Sequence, residues 1–211
     1  KDANFCVLWA KTDDGIEILL DGVVGDEYTQ SDAASIKSVL RANKNAPVTL
    51  RVNSPGGLAF DGLQIHNAIA DHSGPTTGVI ESLAASAASL AVIGADKVVA
   101  YDNSVLMIHE GIAGVQGHIA DLLDGVDWLK SFNAAATVAY ANKSGRTSEE
   151  IAAAMLGPNG DGTKFTAQQA KEFGFVDEII TAGKQKKAKP VKACVSNLRA
   201  KILQARVDAA R

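Results

Sequence analysis

Apolar residues along this chain recur at two different periods, and the two kinds of run alternate. Residues 5–9 and 15–20 are apolar over strand lengths, with a polar turn at 11–14 between them. Ser31 and Asp32 open a helical pattern that places Ile36, Val39 and Leu40 on one face. Residues 48–52 read as a strand and 53–57 as a sharp turn. Leu63, Ile65, Ile69 and Ala70 then suggest a helix, which ends near Ser73-Gly74-Pro75. A strand at 76–80 leads into a run of small residues, 87–94, that reads as a tightly packed helix. Residues 97–101 and 105–108 form two more predicted strands. A long helix is expected over about 118–142, with Leu122, Leu123, Val126, Leu129 and Phe132 along one side. Thr147-Ser148-Glu149-Glu150 has the form of a capping box. Residues 157–164 read as a loop, Thr166 starts a helix, and 176–180 read as the last strand. Strands alternating with helices predict an α/β fold, with a mostly parallel sheet and right-handed crossovers.

The far end of the chain has a different character. Residues 181–193 look like a linker, and Val195, Leu198, Ile202 and Ala205 have helical spacing. Residues 181–211 carry about +8, so the net charge of −3 hides an acidic body and a basic tail. The chain is therefore read as one domain, 1–182, followed by a basic linker and amphipathic helical tail, 183–211. The 46% hydrophobic content supports a real core, and only 5% aromatic content makes that core aliphatic and alanine-rich. No apolar run approaches the roughly 20 residues of a membrane span, so no membrane partner is expected. Cys6 and Cys194 suggest no disulfide framework, and a reducing, cytoplasmic setting is the simplest expectation. No aromatic residue interleaves the tail lysines, so nucleic-acid binding is not predicted. Metal-ligand spacing and phosphate loops are absent from the pattern, and no cofactor is implied.

Candidate chemistry centres on Glu81-Ser82-Leu83-Ala84-Ala85-Ser86. A serine at the first turn of a helix, behind a strand, faces N–H groups without intrahelical partners. Such a hydroxyl can attack a carbonyl, or simply cap the helix. Hydrolysis by serine requires a base, a group that orients the base, and donors for the developing oxyanion. His109 ends an apolar strand ahead of a glycine-rich stretch and is the natural base. Gly56-Gly57 can present N–H groups to a bound carbonyl, and the Ala87 N–H can be a second donor. Asp161 stands in a Gly/Asn-rich loop as a candidate acid, in a setting where aspartates also cap helices or face solvent.

Asn53-Ser54-Pro55-Gly56-Gly57, Ala84-Ala85-Ser86, Met107-Ile108-His109, Phe165-Thr166-Ala167-Gln168-Gln169-Ala170 and Gly174-Phe175-Val176-Asp177 occur in one order. Over residues 15–180 the chain resembles the proteolytic subunit of Clp protease, ClpP. The doubled Ala-Ala-Ser-Ala-Ala-Ser is similar to ClpP-like enzymes of phages and prophages that act in head maturation. The resemblance implies a ClpP/crotonase-like fold of stacked βαβ units, with a protruding handle spanning 111–142. It implies a serine endopeptidase whose active site needs no ATP, with Ser86 as nucleophile and His109, 23 positions later, as base. Gly57 and Ala87 would supply the oxyanion N–H groups. Asp161 would be the triad acid, although its spacing is one residue long and Gly162 stands at the aligned position. Ser82 is a second departure, where the family usually has glycine, and Glu81 adds a carboxylate beside it.

The same resemblance implies a homo-oligomeric ring, heptameric and often stacked in pairs, that acts on protein or peptide substrates. Two biological versions follow: a head protease that cleaves phage scaffold or capsid protein, or a degradative subunit served by an ATPase chaperone. The doubled motif and the basic tail favour the first. Such a tail would tether the enzyme in a forming particle, belong to a fused scaffold, or be a solvated end. A catalytically inactive ring subunit and an acyl-CoA enzyme are the competing readings. The second usually relies on carboxylates rather than a Ser–His pair.

Overall fold

The computed structural model describes residues 9–26 and 31–183. Strand β1 (Trp9–Thr12) turns through Asp13 and Asp14 into β2 (Gly15–Val24) and pairs with it antiparallel. Part of the expected polar turn is therefore strand. Helix α1 (Ala33–Ala42) buries Ile36, Val39 and Leu40, and its N-cap Asp32 accepts from Ser35 N at 2.9 Å. β3 (Val48–Gly57), α2 (Ala59–Ala70) and β4 (Thr76–Ala85) follow. With β5 (Lys97–Tyr101) and β8 (Glu178–Ile180), the sheet runs β1-β2-β3-β4-β5-β8, parallel from β2 onward. This is the mostly parallel α/β architecture expected of the chain.

β4 changes partner along its length. Thr77–Ile80 pair with Lys97–Ala100 of β5, whereas Leu83–Ala85 pair with Val105–Met107 of β6 (Val105–Ile108). β6 then pairs antiparallel with β7 (Thr163–Thr166). The sheet forks at β4, and the end of β4 lies between β3 and β6. The structure departs from the sequence pattern at two places along these strands. The presumed turn at 53–57 is strand, because Ser54 is buried and pairs with Ala84 across the β3–β4 ladder. The presumed loop at 157–164 gives way to β7 at Thr163, because Ile108 offers it a partner.

Helix α3 (Ala87–Ile93) is buried at every position. Small residues make this possible: a Cβ on Gly62 of α2 would come within 2.5 Å of the Ala87 carbonyl oxygen. Helix α4 (Ile119–Ser144) buries only Phe132, Ala136, Ala139 and Tyr140. Leu122, Leu123 and Val126, which share the predicted apolar side, are exposed. Beyond α4, the predicted capping box forms at α5 (Ser148–Leu156), where Thr147 and Glu150 exchange backbone-to-side-chain bonds of 2.9 and 3.2 Å. Helix α6 (Ala167–Phe173) leads to Phe175, which packs against Phe165 and Phe173. Residues 5–8 of the strand predicted at 5–9, and the tail beyond 183, lie outside the described residues.

Gly62→Ala should push α2 off α3. It is expected to lower the unfolding free energy by about 1–3 kcal/mol in chemical denaturation, without a change in slope.

Candidate active site

Ser86 sits where β4 ends and α3 begins, with φ 55° and ψ −127°. It is the one non-glycine residue at positive φ among the described residues. A sharp strand-to-helix turn of this kind lifts a side chain clear of the sheet. Its N–H donates to the Met107 carbonyl at 2.9 Å, which ties the turn to β6. The position matches the general rule that parallel α/β sheets build sites beyond the carboxyl ends of their strands.

His109 follows β6 directly. The Ala85–Met107 register brings the two exits side by side, so Ser86 Oγ and His109 Nε2 lie 2.7 Å apart. With the hydroxyl donating, Nε2 is the bare nitrogen and Nδ1 carries the proton. Both residues are half-buried. The other histidines are occupied elsewhere. His66 meets the Leu90 carbonyl at 3.1 Å, and burial pushes its imidazole pKa down against that bond. His72 meets the Ala46 carbonyl, and His118 caps α4.

Of the two glycines in β3, Gly56 is the one that touches the serine. A Cβ there would stand 2.5 Å from Ser86 Cβ and 3.1 Å from Ala87 N, and φ is +99°. Its N–H donates to the buried Ser54 hydroxyl at 3.1 Å. Gly57 packs against β2, where a Cβ would meet the Val24 carbonyl oxygen at 2.1 Å. Ala87 opens α3, so its N–H has no partner within the helix. Gly56 is thus the member of the Gly-Gly pair in contact with Ser86, and Gly57, which the resemblance names as an oxyanion donor, is the member in contact with β2.

Asp161 lies at the foot of the same constellation but faces outward. Its carboxylate accepts from Lys164 Nζ at 2.9 Å, and that ammonium holds it below the usual carboxylate range. Gly162, the next residue, is packed against His109: a Cβ would lie 2.5 Å from His109 Cβ and 2.2 Å from the Ile108 carbonyl oxygen. Among the described residues, the His109 ring bonds only to Ser86. Glu81, the carboxylate beside Ser82, is engaged by Arg51 at 2.6 Å, and Glu17 approaches the same guanidinium at 3.5 Å.

A mostly apolar cavity of about 480 Å³ is walled by residues that include Phe60, Gly111, Val115, Trp128 and Phe132, with Asp121 and Asp124 also in its lining. The Phe60 ring packs edge-on against Trp128 and Phe132, with centroids 6.0 and 5.6 Å away. Among the described residues, no cluster of three or more His, Cys, Asp or Glu could hold a metal, and no helix is long and apolar enough to cross a membrane.

The site is a serine hydroxyl on a strained elbow, bonded to a histidine, which is an arrangement suited to acyl transfer. A sequence profile of the Clp protease family matches residues 6–183, and the chain belongs to that family of serine peptidases. Among solved structures, a ClpP1 mutant from Listeria monocytogenes shares the fold. It matches with a TM-score of 0.65 and 20% identity, over 79% of this chain and 92% of that one.

Gly162→Ala should displace His109, and we expect labelling of Ser86 by a fluorophosphonate to slow by about tenfold or more. Gly145→Ala, equally left-handed at φ 70° but facing open space, should cost stability alone. Intact-protein mass spectrometry separates the two.

Proposed function

We propose that the protein is a ClpP-type serine endopeptidase in which Ser86 is the nucleophile and His109 the general base. The observation that carries this reading is the 2.7 Å Ser86–His109 bond at a strained elbow. Ser86 Oγ attacks the scissile carbonyl carbon as its proton passes to His109 Nε2. The tetrahedral oxyanion is held by the N–H groups of Gly57 and Ala87; the Gly56 N–H is already taken by Ser54. His109 then protonates the leaving amine, and water resolves the acyl-enzyme. The apolar cavity beside Gly111 suits a large hydrophobic side chain next to the scissile bond.

Asp161 is the acid in this reading. The neighbouring Gly162 packs against His109, which supports this reading, and the Asp161 side chain would have to turn from Lys164 toward the His109 Nδ1 proton. Ring assembly would supply the occasion, and the exposed apolar residues Leu122, Leu123 and Val126 on α4 support an oligomer. The doubled Ala-Ala-Ser and the basic residues beyond 183 favour a head maturation protease acting on scaffold or capsid protein. A degradative subunit fed by an ATPase is the second version. An inactive ring subunit draws its support from the Asp161–Lys164 pair.

Treatment with a fluorophosphonate should add one adduct to the wild-type protein and none to Ser86→Ala, read by intact mass. An unlabelled wild type would favour the structural subunit. Asp161→Asn should slow labelling by at least about 100-fold. A rate within about threefold of wild type would remove Asp161 from the triad.

A further inference from the structure

Ser89 and Tyr140 are wholly buried, 0% and 1% exposed, and their hydroxyls lie 2.7 Å apart beneath the nucleophile. The Ser89 hydroxyl donates to the Ser86 carbonyl oxygen at 2.6 Å. A carbonyl can only accept, so the single Ser89 proton is committed, and Tyr140 must donate to Ser89 Oγ. Burial raises the Tyr140 phenol well above its ordinary range, so it remains a donor throughout the working pH range. The proton order is therefore Tyr140 to Ser89 to the Ser86 carbonyl. That carbonyl also accepts from the Ser89 and Leu90 amides, at 2.9 and 3.3 Å.

The Ser86 carbonyl belongs to the same peptide unit as the Ala87 N–H. A trans peptide is planar, so its C=O and N–H point in opposite directions. Drawing the oxygen into the protein turns the N–H outward, toward the position of a bound oxyanion. Hydrogen bonds to the oxygen also polarise the unit and strengthen its N–H as a donor. The helix amides alone would give part of this anchorage; the two hydroxyls add a bond that depends on α4, which carries Tyr140.

We propose that Tyr140 and Ser89 are positioning residues that orient and polarise the Ser86–Ala87 peptide as an oxyanion donor, linking the seat of α4 to transition-state stabilisation. This rests on the assignment of Ser86 as nucleophile and Ala87 as donor.

The test compares wild type, Tyr140→Phe, Ser89→Ala and the double variant. The readouts are the second-order rate of labelling by an alkyl fluorophosphonate across pH, and unfolding by denaturant. Ser89→Ala alone leaves the Tyr140 hydroxyl buried without a partner, so it should lose stability; the double variant removes both groups and should regain it. Labelling should fall about tenfold in Ser89→Ala and stay equally low in the double variant, less than the loss of a whole oxyanion donor. Its pH midpoint should not move, because His109 is untouched. Recovery of stability without recovery of rate supports positioning.

A double variant labelled within about twofold of wild type would leave the pair a purely structural contact. A shifted pH midpoint would also overturn the proposal, since it would mean that Ser86 had slipped from His109. Should the double variant not fold, Tyr140→Phe decides alone: it keeps the ring against Phe175, and an undiminished rate would end the proposal. Failure of the wild type itself to label at Ser86 would reject the nucleophile assignment along with the relay. Labelling that persists in the variants rejects the relay only.

Discussion

Holding an L-residue at φ 55° and ψ −127° costs about 1–3 kcal/mol, and a fold retains such a turn only when its surroundings leave no relaxed alternative. Ser86 is pinned from several sides. Its N–H is bound to β6, its carbonyl is bound within α3, and Gly56 of β3 leaves room for its Cβ only by having none of its own. Each restraint comes from a different element, so the elbow is a product of the whole sheet rather than of its local sequence. Once it is held, the hydroxyl stands proud of the backbone and α3 begins beneath it with an unpaired N–H.

The partner change in β4 gives the elbow its neighbour. Had β4 paired with β5 to its end, β6 would have had no place beside Ala85. By passing its last three paired residues to β6, β4 sets Ser86 and the residue that follows β6 within hydrogen-bond reach. β7 then continues the sheet on the other side of β6 and brings Gly162 against His109. Ser86, His109 and the 161–162 segment thus share one framework.

Much of this was visible in the residues. The strand-like run at 48–52, the apolar runs before Ser86 and His109, and the capping box at Thr147 each led to the right element. Asn53-Ser54-Pro55-Gly56-Gly57 misled, because its local turn chemistry was overruled by ladder pairing with β2 and β4. β7 was missed because four residues carry too little periodicity to signal a strand without their partner. The apolar side of α4 gave the right helix but not its environment, since a buried stripe and an exposed one have the same spacing. The direction of the Asp161 carboxylate was beyond reach for a related reason: position in the chain does not choose between Lys164 and His109. The pairing of Ser89 with Tyr140 joins residues 51 positions apart and left no trace in either segment.

Helix α4 carries Trp128 and Phe132 in the wall of the apolar cavity and Tyr140 beneath the serine, about 12 Å further along the same rod. On the proposed reading, substrate choice and rate therefore share one piece of backbone. A mutational path that reshapes the cavity by tilting this helix also disturbs the peptide below the nucleophile, so new specificity should arise by exchange of side chains in the wall rather than by movement of the helix. If the chain is the peptidase proposed, its descendants would then diversify in what they cut while keeping the way α4 is seated.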